Sequence, residues 1–398
     1  MADNKDKKVL NVPALRFPEF TEEWEEHYLA EYLDFKNGLN PSANKFGSGI
    51  KFISVMDILN NDFITYDCIR TSVEITPEEQ VAFAVEKGDM LFQRSSETLE
   101  DVGRANVYMD DRPAVFGGFV IRGKKKAEYN PMFFRYLLAS PYARKKVIPM
   151  GAGAQHFNIG QDGLSKVKLH FPILQEQQKI ADLLRLINER ISTQNKIIEK
   201  LETLIKGFVD SIFTANKFPK VPFKEIYVRA GEGGTPATSN PEYYDNGTIP
   251  FIKIDDLQNK YIKTNKDCIT ELGLQKSSAW IVPANSIIYS NGATIGAISI
   301  NLFPVCTKQG ILGVVPKADI NVEFLYYFMT STAFTKAVER IVTEGTMRTA
   351  YLKDINHIPC PVPYPVKQDE IAKMLSTLSE KLENEVIFQM KLQKQKEC

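Results

Sequence analysis

Between Pro172 and Phe213 the apolar residues recur at steps of three, four and seven. They are Ile180, Leu183, Leu184, Ile187, Ile191, Ile197, Ile198, Leu201, Leu204, Ile205, Phe208 and Ile212, separated by Gln, Glu, Lys, Asn and Arg. This spacing marks one face of a helix. After Pro172 the stretch holds no proline, and its only glycine is Gly207. On a heptad, Ile180, Ile187, Leu201 and Phe208 share one position, broken by Gln194. Leu183, Ile197 and Leu204 take the partner position, and Leu184, Ile191, Ile198, Ile205 and Ile212 flank it. The pattern predicts a long amphipathic helix that needs another helix to cover it. At about 1.5 Å per residue it would reach roughly 55–60 Å.

The segment before it, from about Ala14 to His170, alternates aromatic and β-branched runs with turn signals. KFISVMDIL, DFITYDCIRTSV, DMLFQRSS, RANVYMD and AVFGGFVIRG read as short strands, with NGLNP, FGSG, EKGD and MDDRP as loops. NPMFFRYLLASPYARKKVI reads as helical, followed by the glycine-rich MGAGAQHFNIGQDG and the short strand KVKLHFP.

The pattern then recurs. At a constant, gap-free offset, AEYNPMFFRYLLAS from Ala127 lies over ADINVEFLYYFMTS from Ala318. Tyr136 falls on Tyr327, Pro172 on Pro363, Ile180 on Ile371, Leu184 on Leu375 and Ile191 on Leu382. Upstream, small insertions enlarge the offset, and FISVMDI from Phe52 lies over FIKIDDL from Phe251. The chain is a tandem duplication of α+β type: a first mixed domain over 1–172, a central helix over 173–214, a second mixed domain over 215–364 and a C-terminal helix over 365–398. The C-terminal stripe runs through Ile371, Met374, Leu375, Leu378, Leu382, Val386, Phe388 and Leu392. The simplest burial sets the two helices against each other as an antiparallel coiled coil in a pseudo-two-fold arrangement. Ile180, Leu184, Ile187, Ile191, Ile198, Leu201, Ile371, Leu375, Leu378 and Leu382 are the expected seam. The alternative is that each helix packs on its own domain.

Composition narrows the class without naming a partner. The 398 residues suffice for two cores, and 43% apolar with 25% charged residues is ordinary for a folded protein. Basic and acidic residues balance at 49 each. Bulk charge therefore favours no partner, although a local basic surface remains compatible with nucleic acid. The N-terminus has no signal-peptide core, and no run approaches the roughly 18 apolar residues of a membrane span. The five cysteines are scattered, with no CxxC. A reduced, cytoplasmic protein is expected.

Catalytic chemistry is sparse. There is no GxxxxGK[ST] loop, no GxGxxG after a strand, no metal-ligand spacing among the four histidines and no paired-acid constellation. Asn240-Pro241-Glu242-Tyr243 lacks the second proline of an amino-methyltransferase tetrapeptide. Binding chemistry is richer. In the first domain Arg94, Ser95, Ser96 and Arg104 follow a strand, and Gln155, His156 and Asn158 precede the last strand. In the second, the corresponding loops hold Ser290, Asn291 and Thr294, then Thr346, Arg348 and Thr349, with Lys308 and Gln309 nearby. Lys124–Lys126, Arg144, Lys145 and Lys146 add positive charge in one domain, and Lys336 and Arg340 in the other. Such side chains hydrogen-bond base edges and phosphates. Taken singly they are also ordinary loop composition. The pairing argues for function, because the framework repeats while these loops differ.

PALRFPEF with Trp24, the segments FISVMDI and GDMLFQR, and the hinge FPILQEQQKIADLL with its weaker copy VPYPVKQDEIAKML resemble the specificity subunit of Type I restriction–modification systems. The resemblance spans essentially the whole chain. It implies two target-recognition domains, each reading one half of a bipartite, asymmetric sequence in double-stranded DNA. It further implies two spacer helices that measure the unspecified bases between the halves. The implied partners are two methyltransferase subunits and, through them, restriction subunits. S-adenosylmethionine, ATP and Mg would belong to those partners, and this chain would carry no cofactor, metal or catalytic centre. The second copy departs from the pattern, with Gln368-Asp369-Glu370 where the first has Gln175 to Gln178. The competing expectation is a coiled-coil interaction scaffold with two ligand-binding domains and no DNA.

Overall fold

The computed structural model of the chain describes residues 13, 15–153, 155–214, 218–292, 294–342 and 348–397. The chain divides into two compact units. One runs to Arg190 and is joined by the chain's end from Leu392, and the other is Ile191–Lys391. The boundary falls inside the central helix, so the two parts of that helix belong to different units.

In the first unit, Leu33–Asn37, Val120–Lys125, Met90–Gln93 and Ala105–Val107 form an antiparallel sheet in that order. In the second, Tyr227–Glu232, Ile311–Pro316, Ser286–Ser290 and Ile298–Asn301 repeat the same order, with Tyr261–Ile262 added in parallel at the edge. In the first unit a single parallel bridge from Ile64 to Tyr108 takes the place of that fifth strand. Each unit carries a further three-stranded sheet: Ser72–Val73, Phe46–Ile53 and Val115–Phe116 in one, Asp267–Ile269, Ile249–Ile252 and Cys306–Thr307 in the other. In both, one pairing is antiparallel and the other parallel. The repeat read in sequence is thus a repeat of topology.

The central strands Met90–Gln93 and Ser286–Ser290 are buried at every position. Their alternate side chains enter different clusters. Met90 and Phe92 join the core that holds Phe134 and Phe171, while Leu91 faces the one built on Ile53 and Phe116. Helices Pro131–Ala139 and Val322–Thr330 supply the large aromatics of the two main cores, among them Phe134 and Phe328. A closing pair then joins each domain's start to its end. Glu25–Tyr28 pairs with Lys168–Phe171, and Lys220–Pro222 with Pro359–Pro361.

The segment KFISVMDIL, expected as one strand, is a strand ending at Ile53 and a helix over Val55–Asn60. The break is chemical. Asp57 Oδ2 accepts from both the backbone N–H and the hydroxyl of Ser54 at 2.7 Å, which starts a helix where β-branched residues had suggested a strand. The copy repeats the device, with Asp256 accepting from the N–H of Lys253 at 2.9 Å.

The central helix spans Leu174–Thr214 and the C-terminal helix Pro365–Glu397. In the second unit they run antiparallel. Gln194 Nε2 donates to Glu385 Oε2 at 2.6 Å and to its backbone carbonyl at 3.1 Å. Further along the central helix, Val209 and Phe213 share a core with Ile371 and Leu375, which lie earlier in the partner.

The seam differs from the heptad expected. Leu184, Ile187, Ile191, Gln194, Ile198, Leu201 and Ile205 form the buried and half-buried line. Leu183, Ile197 and Leu204, expected as the partner position, are 46, 39 and 46% exposed, and Phe208 is exposed beside them. A two-column seam covers only part of an apolar face three columns wide. Ile180 packs on the first domain's core instead of the seam. Ile371 and Leu375 belong to the second domain's core. Leu378 and Leu382 are half-buried.

Candidate nucleic-acid interface

In the first unit the structure brings the two predicted loops together. Strand Met90–Gln93 runs out at Arg94, and Ser95–Ser96 then pairs antiparallel with Phe157–Asn158. The Ser95 hydroxyl donates to the Asn158 side-chain oxygen. Arg94 is fixed from both sides, its N–H donating to the Phe119 carbonyl at 2.8 Å and its own carbonyl accepting from Ile159 at 2.9 Å. Its guanidinium reaches the Gly118 carbonyl at 3.3 Å. Arg104, opposite Gln93, is exposed and pairs with Asp101 at 2.6 Å. Gln155, His156 and Asn158 are exposed, and Ser96 is half-buried. One end of the sheet therefore presents hydroxyl, amide, imidazole and guanidinium groups on a backbone held by strand pairing.

Positive charge is spent differently from expectation. Lys124, Lys125 and Lys126 stand at the far end of strand Val120–Lys125. They bind Glu86, Glu128 and the Ala30 carbonyl at 3.4, 3.0 and 2.7 Å. The Arg144 guanidinium donates to the carbonyls of Glu100 and Val102 at 2.7 Å each, which braces the loop before Arg104. Its burial lowers its pKa. These groups shape the domain and lie away from the exposed polar loops or under them.

In the second unit the same end gathers four loops. Gln309 N–H donates to Thr235 Oγ1 at 3.2 Å, and Gly310 N–H to Glu232 Oε1 at 2.6 Å. The Asn291 amide donates to the Ala350 carbonyl at 3.1 Å, and Ala350 N–H returns to the Asn291 carbonyl at 2.9 Å. Thr294, Lys308, Gln309 and Arg348 are exposed. Ser290 and Asn291 are not: at 2% and 1% exposure they lie beneath the loops. Both are thus buried where surface loop residues were expected, and Asn291 tethers the Arg348 loop through its two bonds to Ala350. Thr346 lies outside the described residues.

Some residues at these ends were not picked out from sequence. Phe119 follows Gly117-Gly118 at the tip of the turn beside Arg94 and is 67% exposed. The AVFGGFVIRG run had suggested an unbroken strand, although its glycine pair is a turn signal. Thr235 and Glu232 also join the second site.

Both domains hang on their helices by the same bonds. Gln177 is buried and accepts from Asn130 N–H at 3.0 Å, and its copy Gln368 accepts from Asn321 N–H at 2.9 Å. The N-terminal segment adds a second tie in the first unit. Arg16 makes a two-pronged pair with the buried Glu176, both contacts at 2.7 Å. Trp24 Nε1 donates to the same carboxylate at 3.3 Å. Among the described residues no group of three His, Cys, Asp or Glu side chains is placed to hold a metal ion. No described helix is long and apolar enough to cross a membrane.

A family model described as the Type I restriction modification DNA specificity domain matches the chain twice, over residues 21–203 and 220–391. The type I restriction enzyme HindI specificity subunit of Haemophilus influenzae is 25% identical over 377 residues, covering 75% of this chain and 80% of that protein. The MjaVIII specificity subunit of Methanocaldococcus jannaschii is 21% identical over 411 residues, covering 95% and 91%. The crystal structure of a Type I restriction–modification S subunit from M. genitalium aligns with a TM-score of 0.55 at 14% identity, covering 94% of each chain. A structure described as the basis of complex assembly and conformational transition of the type I R-M system aligns with a TM-score of 0.60 at 14% identity, covering 97% of each. At that identity these structures establish a shared fold.

Proposed function

We propose, from the premise that this chain belongs to the Type I restriction–modification DNA specificity family, that it is the subunit by which such an enzyme selects its DNA sequence. Each domain reads one half of a bipartite site in double-stranded DNA through its loop end. The candidates are the half-buried Ser95 and the exposed Arg104, Gln155, His156 and Asn158 in the first domain. In the second they are Thr294, Lys308, Gln309 and Arg348. The helices set the unspecified spacer and dock two methyltransferase subunits, through which restriction subunits join. Methyl transfer from S-adenosylmethionine and ATP- and Mg-dependent work belong to those partners, and this chain contributes recognition.

The observation that carries the reading is the duplicated framework with unlike ends. The two sheets share strand order and hinge bonds, yet one end shows Ser95–Asn158 and the other Arg348 over a buried Asn291. One scaffold used twice to read two sequences has this form. The alternative of a scaffold without DNA is not favoured by the family membership. Methylome sequencing of the host with and without the gene tests the reading. One bipartite motif should lose methylation in the deletion strain and regain it on complementation. An unchanged methylome would contradict it.

A further inference from the structure

Arg94 and Phe119 in the first unit are the structural counterparts of Asn291 and Gly310 in the second. Arg94 N–H donates to the Phe119 carbonyl at 2.8 Å, and Asn291 N–H donates to the Gly310 carbonyl at 3.1 Å. Each pair follows the last register pair of its strands, Gln93 with Val120 and Ser290 with Ile311. The decoration is opposite. Gly310 has φ +85°, a backbone conformation suited to glycine. Beside it, Asn291 is buried and holds the 348–350 loop. In the first unit the same turn carries a phenylalanine that is 67% exposed.

That turn is clamped. Val120 N–H donates to the Gly117 carbonyl at 2.8 Å, and Leu39 bridges Gly117. A Cβ at Gly118 would lie 1.9 Å from Asn40 Oδ1, and one at Gly117 would lie 2.6 Å from Phe52 Cζ. The ring is therefore presented on a rigid tip. A single exposed apolar side chain is commonplace on a protein surface. This one stands across from Arg94, in the part of the site where Ser95 and Asn158 are exposed or half-buried. Arg94 donates its backbone N–H to the Phe119 carbonyl and its guanidinium reaches the neighbouring Gly118 carbonyl, so the ring and the polar groups belong to one end of the sheet. An apolar group flanked by hydrogen-bonding groups suits a base edge with a methyl group or a base step opened by a wedge, and water gives it no partner.

We propose that Phe119 is a base-contacting residue of the first recognition domain, placing its ring against the bases of the half-site that domain reads. The proposal rests on the recognition function stated above. It assigns to the first domain an apolar contact that the second domain, with Gly310 at that place, lacks.

The test uses the complete methyltransferase complex and a duplex carrying the motif methylated in the host. F119A should weaken binding to that duplex about tenfold to a hundredfold, in line with a base contact of ~1–3 kcal/mol. Its melting temperature should match wild type, because the ring is exposed. Base changes in the first half-site should no longer matter fully to F119A, while changes in the second half should cost it what they cost wild type. A photo-crosslinking phenylalanine analogue at position 119 should attach to bases of the first half. If F119A binds and discriminates as wild type does, or the crosslinker never reaches DNA in a complex that still selects its duplex, the proposal is overturned and the recognition reading stands. If wild type itself fails to distinguish the motif from a scrambled duplex, the recognition reading falls, and the proposal with it.

Discussion

Gln177 accepts a hydrogen bond from the backbone N–H of Asn130 at 3.0 Å while its amide donates to the Pro172 carbonyl at 2.9 Å. The Asn130 side chain caps its own helix through Phe133 N–H at 2.8 Å and donates to Gln178 at 2.6 Å. The second copy repeats all four bonds, through Gln368, Asn321, Pro363, Phe324 and Asp369. A buried amide that satisfies two backbone groups fixes where each spacer helix leaves its domain. The glutamine in the hinge motif has this physical role.

Replacing Gln177 by leucine removes the partner of a half-buried N–H and of a buried carbonyl. The expected loss is about 1–3 kcal/mol, read as a lower midpoint in thermal or denaturant unfolding. Gln368→Leu should do the same to the second unit. A glutamine-to-leucine change at the exposed Gln175 should leave the midpoint within about 0.5 kcal/mol of wild type.

Lys260, Glu323, Tyr261, Tyr327 and Ser376 form a half-buried cluster in the second unit. Lys260 Nζ lies 3.2 Å from Glu323, 3.1 Å from Tyr327 and 2.9 Å from Ser376. Burial alone would raise the Glu323 pKa, but hydrogen bonds from Ser376 and Tyr261 and the Lys260 charge outweigh it and hold it below the ordinary 4.5. Stability from this carboxylate is therefore present above about pH 4.5 and is lost as pH falls through the lower, folded value. Glu323→Gln should lower stability near pH 7 by about 1–3 kcal/mol and flatten the acid limb of stability against pH. The check is denaturant unfolding from pH 3 to pH 7.

Asn291 and Arg348 separate support from contact. Asn291→Ala removes a buried bond to the Ala350 carbonyl and should cost about 1 kcal/mol, lowering the melting temperature by a few degrees. Arg348→Ala, on the exposed part of the same loop, should leave melting unchanged. It should weaken binding of the assembled complex to its own duplex about tenfold. Fluorescence anisotropy alongside a thermal melt distinguishes the two.

Gln194 sits in the apolar seam and holds Glu385 at 2.6 Å. A polar pair in such a seam sets register. Inserting one helical turn, four residues, within 195–202 lengthens the helix by about 6 Å, the rise of one to two base pairs at about 3.4 Å each. Methylome sequencing should show a longer spacer between two unchanged half-sites. A changed half-site with a constant spacer would contradict the ruler role.

Much of the architecture was legible because it is periodic or duplicated. The long helix followed from its stripe, and the matching sheets from segments such as FISVMDI and FIKIDDL. Leu184, Ile187, Ile191, Ile198 and Leu201, named for the seam, are half-buried, whereas the heptad's partner column of Leu183, Ile197 and Leu204 is exposed, because these residues fit a heptad as well as Leu184, Ile198 and Ile205 do. Only the partner helix decides which column is covered. The candidate sites were less legible. Ser290 and Asn291 have the composition of a surface loop, but a second loop lies over them. Phe119 looked like a strand residue because the clamp on Gly117 and Gly118 comes from Asn40, Phe52 and Leu39, distant in sequence. Loop chemistry is local, whereas exposure is set by tertiary neighbours.

The most direct measurement exchanges the first recognition segment, residues 14–170, for that of a relative with a different motif and sequences the resulting methylome. One half of the methylated motif should change to that of the donor while the other half stays as it was. A motif unchanged in both halves, in cells where the chimaera still supports methylation, would contradict the recognition reading.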